Sequence, residues 1–249
     1  YGVLVALGFL AGLGVTVRMA RRSGYNAELI TNLAVYVALA GMLGAKIAMI
    51  LFDWREYLAQ PGRIFSLETL QAAGVFQGGL ILALATAYFY MKKQNLPVLA
   101  ASDAFAPGVA IGHAIGRLGC FSAGCCWGVE TNLPWAVHFH NPVAWNLTGV
   151  PLEKGLHPTQ LYEAFAEFVI FGLLWQRAGW KLGPGAQIGF YLVMYSTVRF
   201  GVEFVRSHAQ GLVLGLSLTQ WMSAGFVLLG AWYWHQSRGG NTPMLEQKG

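Results

Sequence analysis

The feature that most constrains this chain is a succession of apolar stretches, each about as long as a bilayer is thick. A helix rises about 1.5 Å per residue, so a hydrocarbon core of about 30 Å takes about 20 mainly apolar residues. Seven such stretches lie at roughly 1–20, 30–52, 74–91, 103–122, 158–176, 184–204 and 216–235 of the 249 residues. Only 11% of the residues are charged, against about 25% in a soluble domain. Within lipid the backbone must satisfy its own polar groups, so these runs read as helices. The expected fold class is an all-α integral membrane protein of seven transmembrane helices, forming one transmembrane domain over residues 1–249. No separate soluble domain, low-complexity tract or internal repeat is evident. The first stretch is not read as a cleaved signal peptide. It is long, lacks a basic region at its start, and its charges follow it.

Orientation follows from lysine and arginine. One set of helix ends carries Arg18, Arg21, Arg22, Lys92, Lys93, Arg177, Lys181, Arg238 and Lys248; the other carries Arg55, Arg63, Lys154 and Arg206. The richer set belongs in the cytoplasm, so the N-terminus is expected outside and the C-terminus inside. The two longest connections, about 53–73 and 123–157, then lie outside. The second contains "LPWAVHFHNPVAW" and reads as a small external cap between the fourth and fifth helices. The net charge is +5, but the cations are scattered at segment ends. That pattern suits topology and anionic lipid, and no nucleic-acid partner is expected.

Three cations remain, all inside spans: Lys46, Arg117 and Arg199. A charge within a span is costly, so it faces the bundle interior and marks function. In the expected orientation all three fall near the outer ends of their helices, and Gln77 lies just inside the outer start of the third span. One polar layer from four helices is expected in the outer part of the bilayer, with Gln77, His113, Arg117 and Arg199 lining one pocket. A guanidinium offers a planar fork of donors that suits phosphate, and a phospholipid of the outer leaflet places its phosphate at this depth. Arg199 and Glu203 stand four apart and can pair on one helix face. Arg117 has no acidic residue at helical spacing and is read as a ligand-binding group. Gly112, Gly116 and Gly119 around it permit close approach of a helix or a lipid.

The stretch "IGRLGCFSAGCCWG" at Ile115 holds all three cysteines of the chain. On the outer side of the membrane a disulfide can persist. Cys120 with Cys125 or Cys126 is the sterically reasonable pairing; free thiols packed as small apolar groups are the alternative. Their spacing matches no standard metal pattern, even with His138 and His140 available, so no metal is expected. His157 reads as a cap or structural residue.

Several segments resemble the bacterial prolipoprotein diacylglyceryl transferase family almost from end to end. "YGVLVALGF" at Tyr1 resembles the family's first helix, "GAKIAMILF" at Gly44 the second, and "GVFQGGLI" at Gly74 its His-Gly-Gly segment. "IGRLGCFSAGCCWG" resembles the signature around an essential arginine. "HPTQLYE" at His157 is close to a family motif, and "YSTVRFGVEFVR" at Tyr195 resembles the stretch with the second essential arginine. The resemblance implies transfer of a diacylglyceryl group from phosphatidylglycerol to the lipobox cysteine thiol of prolipoproteins, releasing glycerol phosphate. It implies a multi-pass protein of the bacterial cytoplasmic (inner) membrane. Its partners would be phosphatidylglycerol, prolipoprotein signal peptides and membrane lipids, with no cofactor.

By the resemblance Arg117 and Arg199 hold the phosphate, and Glu203 orients Arg199. Tyr1 and Gly128 shape the lipid site, and Lys46, Gln77, Gly78, Gly79 and Arg206 contribute to substrate binding. The chain departs from the pattern at Gln77, where histidine is usual, at Cys120 and Ala123 for asparagine, and at Cys125 for glutamate. Glutamine is no general base, and His113, four residues before Arg117, is the local substitute. A divergent member that binds anionic lipid or a protein partner without transfer, or a membrane thiol redox protein, is the alternative.

Overall fold

The computed structural model describes residues 1–66, 69, 74–180, 182–207 and 211–239. Lys181 and Lys248, used in the orientation argument, and most of 67–73 in the first long connection lie outside the described residues. The helices are α1 (Gly2–Arg22), α2 (Ala27–Phe52), α3 (Trp54–Ala59), α4 (Phe76–Lys93), α5 (Val98–Ala123), α6 (Pro142–Thr148), α7 (Thr159–Arg177), α8 (Ala186–Val202) and α9 (Leu218–Gly239). A two-stranded hairpin, β1 (Leu212–Val213) with β2 (Leu216–Ser217), precedes α9. Each of the seven apolar stretches overlaps one of the long helices. Among the described residues, four helical runs, Gly2–Arg22, Ala27–Phe52, Val98–Ala123 and Ala186–Val205, are long and apolar enough to cross a membrane by length and composition. The chain is a multi-pass membrane protein of the all-α class.

Basic side chains close the last turns of α1, α4, α7 and α9. There they complement the partial negative charge of the helix C-terminus.

The described residues divide into two compact units, Gly24–Val98 and Tyr1–Ser23 with Leu99–Gly249. In the first, α2 and α4 meet over glycine. A Cβ on Gly78 would stand 2.2 Å from the Ala48 Cβ, and one on Gly79 would stand 2.7 Å from the Gly41 carbonyl oxygen. Only bare backbone permits this approach. Lys46 Nζ donates to the Thr69 carbonyl at 2.5 Å, and Gln77 is exposed in the first turn of α4.

In the second unit α1 lies against α5 through Gly8 and Gly12, which face the carbonyls of Gly112 and Gly108. Ala106 and Ala110 of α5, Ile170 and Leu174 of α7, and Tyr191 of α8 form an apolar core beside them. Gly189 and Gly230 bring α8 onto α9.

The start of α8 has no cap from its own residues. Asp103 of α5 supplies one, accepting from the backbone N–H of Gly185 at 2.7 Å, Gln187 at 2.9 Å and Ile188 at 2.8 Å. Losing a helix cap costs about 1 kcal/mol, and more when several charge-assisted bonds go together. Asp103→Ala is expected to destabilise the fold by about 2 kcal/mol, with Asp103→Asn intermediate. Thermal unfolding in detergent measures this, and an Asp103→Ala variant that melts with the parent excludes the tie.

Residues 123–157 fold back on themselves. Val137 and Leu156 exchange both backbone hydrogen bonds at 3.0 Å, and Asn141 caps α6 through Val143 N at 2.9 Å. Val150 and Leu156 are buried beneath, while Trp135 and Trp145 stay exposed.

Candidate active site

The central feature is a set of buried carboxylates on α7 and at the end of α8, each facing a basic side chain. Glu163 Oε2 lies 2.7 Å from Arg117 Nη2, and its Oε1 lies 3.1 Å from Arg206 Nη1. The Glu163 side chain is 1% exposed, and the two guanidinium side chains 14% and 16%. One carboxylate from α7 thus ties together α5 and the segment after α8. Arg117 has no acidic residue at helical spacing, but it does have an acidic partner. Its partner is distant in sequence, on another helix.

Arg199 Nη1 and Glu203 Oε2 form the pair expected at this spacing, 2.6 Å apart. Ser217 Oγ donates to Glu203 Oε1 at 2.8 Å, so β2 holds the carboxylate from its other side. Tyr195 of α8 interacts electrostatically with Arg117, Arg199, Glu163 and Glu167. It links the two clusters.

Three guanidiniums, those of Arg117, Arg199 and Arg206, share this unit with the carboxylates of Glu163, Glu203 and, beside His113, Glu167. Arg117 Nε is buried with no hydrogen-bond partner among the described residues. A buried unpaired donor is costly and calls for an acceptor. A buried guanidinium with an unused donor suits an anionic ligand.

One turn before Arg117, His113 Nδ1 lies 2.7 Å from Glu167 Oε1. The Tyr191 hydroxyl donates to the same oxygen at 3.2 Å, and the Tyr195 ring stands edge-on to the imidazole with centroids 5.0 Å apart. A carboxylate on one ring nitrogen fixes the tautomer and leaves the other nitrogen to act.

The loop after α5 is fixed from several sides. Gly128 N donates to the His157 carbonyl at 2.9 Å, and Val129 N to the Val205 carbonyl at 2.8 Å. A Cβ on Gly128 would stand 2.5 Å from both the His157 Cβ and the Val205 oxygen. Glycine here lets the loop thread between those segments and seat Arg206. His157 Nδ1 lies 3.1 Å from the Tyr162 hydroxyl. The carbonyl and ring of Tyr1 both reach within 3.6 Å of a Cβ placed on Gly119, and Tyr1 interacts electrostatically with Arg117 and the three cysteines.

Those cysteines are free thiols, and the expected disulfide is absent. Their sulfurs nonetheless gather within 4.8 Å of one another. Cys126 is pulled towards the thiolate by the neighbouring thiols of Cys120 and Cys125 and by the charges of Arg206 and Arg117. His140 is engaged elsewhere, with Nδ1 2.7 Å from Glu153 Oε1.

Of the expected site residues, Tyr1, His113, Arg117, Gly128, Arg199, Glu203 and Arg206 belong to one unit. Lys46, Gln77, Gly78 and Gly79 belong to the other, where the two glycines serve the α2–α4 contact. Glu163, Glu167, Tyr191 and Ser217 were not foreseen. The signal existed for the two glutamates: acidic residues four apart inside an apolar span.

A family model described as prolipoprotein diacylglyceryl transferase matches residues 1–236. The chain belongs to the prolipoprotein diacylglyceryl transferase family. It is 35% identical to a Clostridium tetani protein named phosphatidylglycerol–prolipoprotein diacylglyceryl transferase, over 96% of this chain and 92% of that one. A protein of the same name from Finegoldia magna is 33% identical over 92% of this chain and 87% of its own. One from Nitratidesulfovibrio vulgaris strain Miyazaki F is 32% identical over 96% and 89%. The buried arginines therefore lie in segments that this chain shares with diacylglyceryl transferases along most of its length.

Proposed function

We propose that this member of the family transfers a diacylglyceryl group from phosphatidylglycerol to the lipobox cysteine thiol of prolipoproteins. It would work in the bacterial cytoplasmic membrane as a seven-span protein with its N-terminus outside and residues 123–157 as an external cap. The observation that carries the reading is the pair of buried arginines, Arg117 and Arg199, held by Glu163 and Glu203, with the Nε of Arg117 lacking a hydrogen-bond partner among the described residues.

In the reaction the acceptor sulfur attacks the glycerol carbon bonded to the phosphate oxygen. The carbon–oxygen bond breaks, a carbon–sulfur bond forms, and glycerol phosphate leaves with the bonding electrons. Arg117 and Arg199 bind the phosphodiester and stabilise the charge that grows on the departing oxygen. Burial strengthens that interaction. A thiol is only slightly ionised at neutral pH and needs a base. His113 takes the thiol proton, and Glu167 stabilises the imidazolium that results. Glu203 and Glu163 orient the guanidiniums.

Complementation of a strain depleted of its own transferase, read by lipoprotein mobility, tests the whole reading. Restored mobility is expected; unshifted precursors despite normal membrane levels of the chain would refute transfer. His113→Gln is expected to slow transfer by about 10²-fold or more, the usual size of a general-base contribution. Glu167→Gln should lose less, because the imidazole remains. Transfer at the parent rate by His113→Gln removes histidine as the base.

A further inference from the structure

The three thiols have no role in the transfer just described, yet the loop is built to bring them together. Cys120 lies in the last turn of α5, and the chain then reverses through Gly124 at φ +69° and Cys126 at φ +63°. A left-handed conformation costs a side-chain-bearing residue on the order of 1 kcal/mol. Glycine or asparagine is the usual solution there, and cysteine is not. The turn is held in place on both flanks. Cys125 N donates to the Cys120 carbonyl at 3.1 Å. Gln160 Nε2 donates to the Cys125 carbonyl at 2.6 Å, and Thr159 Oγ1 to the Cys126 carbonyl at 2.7 Å. The two backbone carbonyls are thus committed to α7, and the side chains converge with all sulfurs within 4.8 Å.

We infer that Cys120, Cys125 and Cys126 form a three-thiolate site for one soft, thiophilic metal ion such as zinc or cadmium. Zinc–sulfur bonds are about 2.3 Å, which sets sulfurs around a common ion roughly 3.8–4 Å apart. The cluster reaches that spacing by side-chain movements below about 1 Å. Thiolates select soft ions over magnesium or calcium. Each thiol gives its proton to solvent on binding, so three protons leave per ion and a divalent ion yields a site of charge −1. Arg206 and Arg117, which already act on Cys126, offset that charge. Three protein ligands leave a fourth position for water or an external thiol. Sequence spacing alone could not find this site, because Cys126 joins it only through the left-handed turn.

The test uses the full chain, purified in detergent, reduced and freed of metal, with cadmium(II) as the probe. The thiolate-to-cadmium charge-transfer absorption is expected to saturate at one ion per chain. Cys120→Ser, Cys125→Ser and Cys126→Ser should each weaken binding at least tenfold, and the triple serine variant should show no band. Circular dichroism and thermal unfolding establish that the serine variants are folded. A His140→Ala control, outside the cluster, should titrate like the parent. Should a serine variant fail to fold, competition by zinc for bound cadmium on the parent chain still decides: displacement at one equivalent supports the site. Absence of a band in the parent, a band that survives in the folded triple variant, or a disulfide among the three in freshly isolated membranes would overturn the inference. None of these outcomes depends on transfer activity, which complementation reads separately.

Discussion

Arg117→Ala and Arg199→Ala are each expected to abolish measurable transfer. Removing a single preorganised donor from developing transition-state charge costs about 10²–10³ in rate. Each substitution here removes a whole guanidinium from a site whose side chains are at most 16% exposed. Arg117→Lys should recover only part of the loss. Lysine supplies the charge but not the planar fork, which lets one edge hold Glu163 while Nε remains for a ligand. The measurement is transfer from labelled phosphatidylglycerol to a lipobox peptide in detergent micelles. Parent-level activity in Arg199→Ala would remove the phosphate clamp from the mechanism. Full activity in Arg117→Lys would show that charge alone suffices.

Glu163→Gln should have the largest effect on stability. The carboxylate is shared by Arg117 and Arg206. Glutamine preserves its shape but leaves two buried cations without their counter-charge. Breaking a buried pair from one side costs about 3–5 kcal/mol, a large share of the roughly 5–15 kcal/mol that holds a domain together. A marked fall in melting temperature is expected. Added phosphatidylglycerol should raise the melting temperature of the variant more than that of the parent, since the lipid phosphate supplies an anion to the same guanidiniums. An unchanged melting temperature would refute the role of Glu163 as the shared counter-charge.

The two clusters differ in how far the sequence reveals them. Arg199 and Glu203 sit four apart, and helical geometry alone brings them together. Their pairing at 2.6 Å was legible in advance. Glu163 lies 43 residues from Arg206, and Glu167 lies 54 from His113. No local periodicity reports such a meeting. It depends on α5, α7 and α8 packing through Ala106, Ile170 and Tyr191, so that the polar faces of three helices coincide.

The same division holds for the glycines. A run of small residues in a span signals close approach, but not to which neighbour. The structure assigns Gly112 to α1, Gly78 and Gly79 to α2, and Gly128 to a passage between His157 and Val205.

The amino-acid sequence by itself determined that this chain lies in a membrane and where its long helices run, because hydrophobic length and the internal satisfaction of backbone hydrogen bonds are local properties. It also singled out the in-span arginines, because a charge in an apolar helix is too costly to be incidental. Only the tertiary structure decided which carboxylates meet those arginines, which base is oriented, and that three cysteines converge without a bond. Each of those outcomes rests on contacts between helices distant in sequence, or on a backbone turn at Cys126 that residue type alone disfavours.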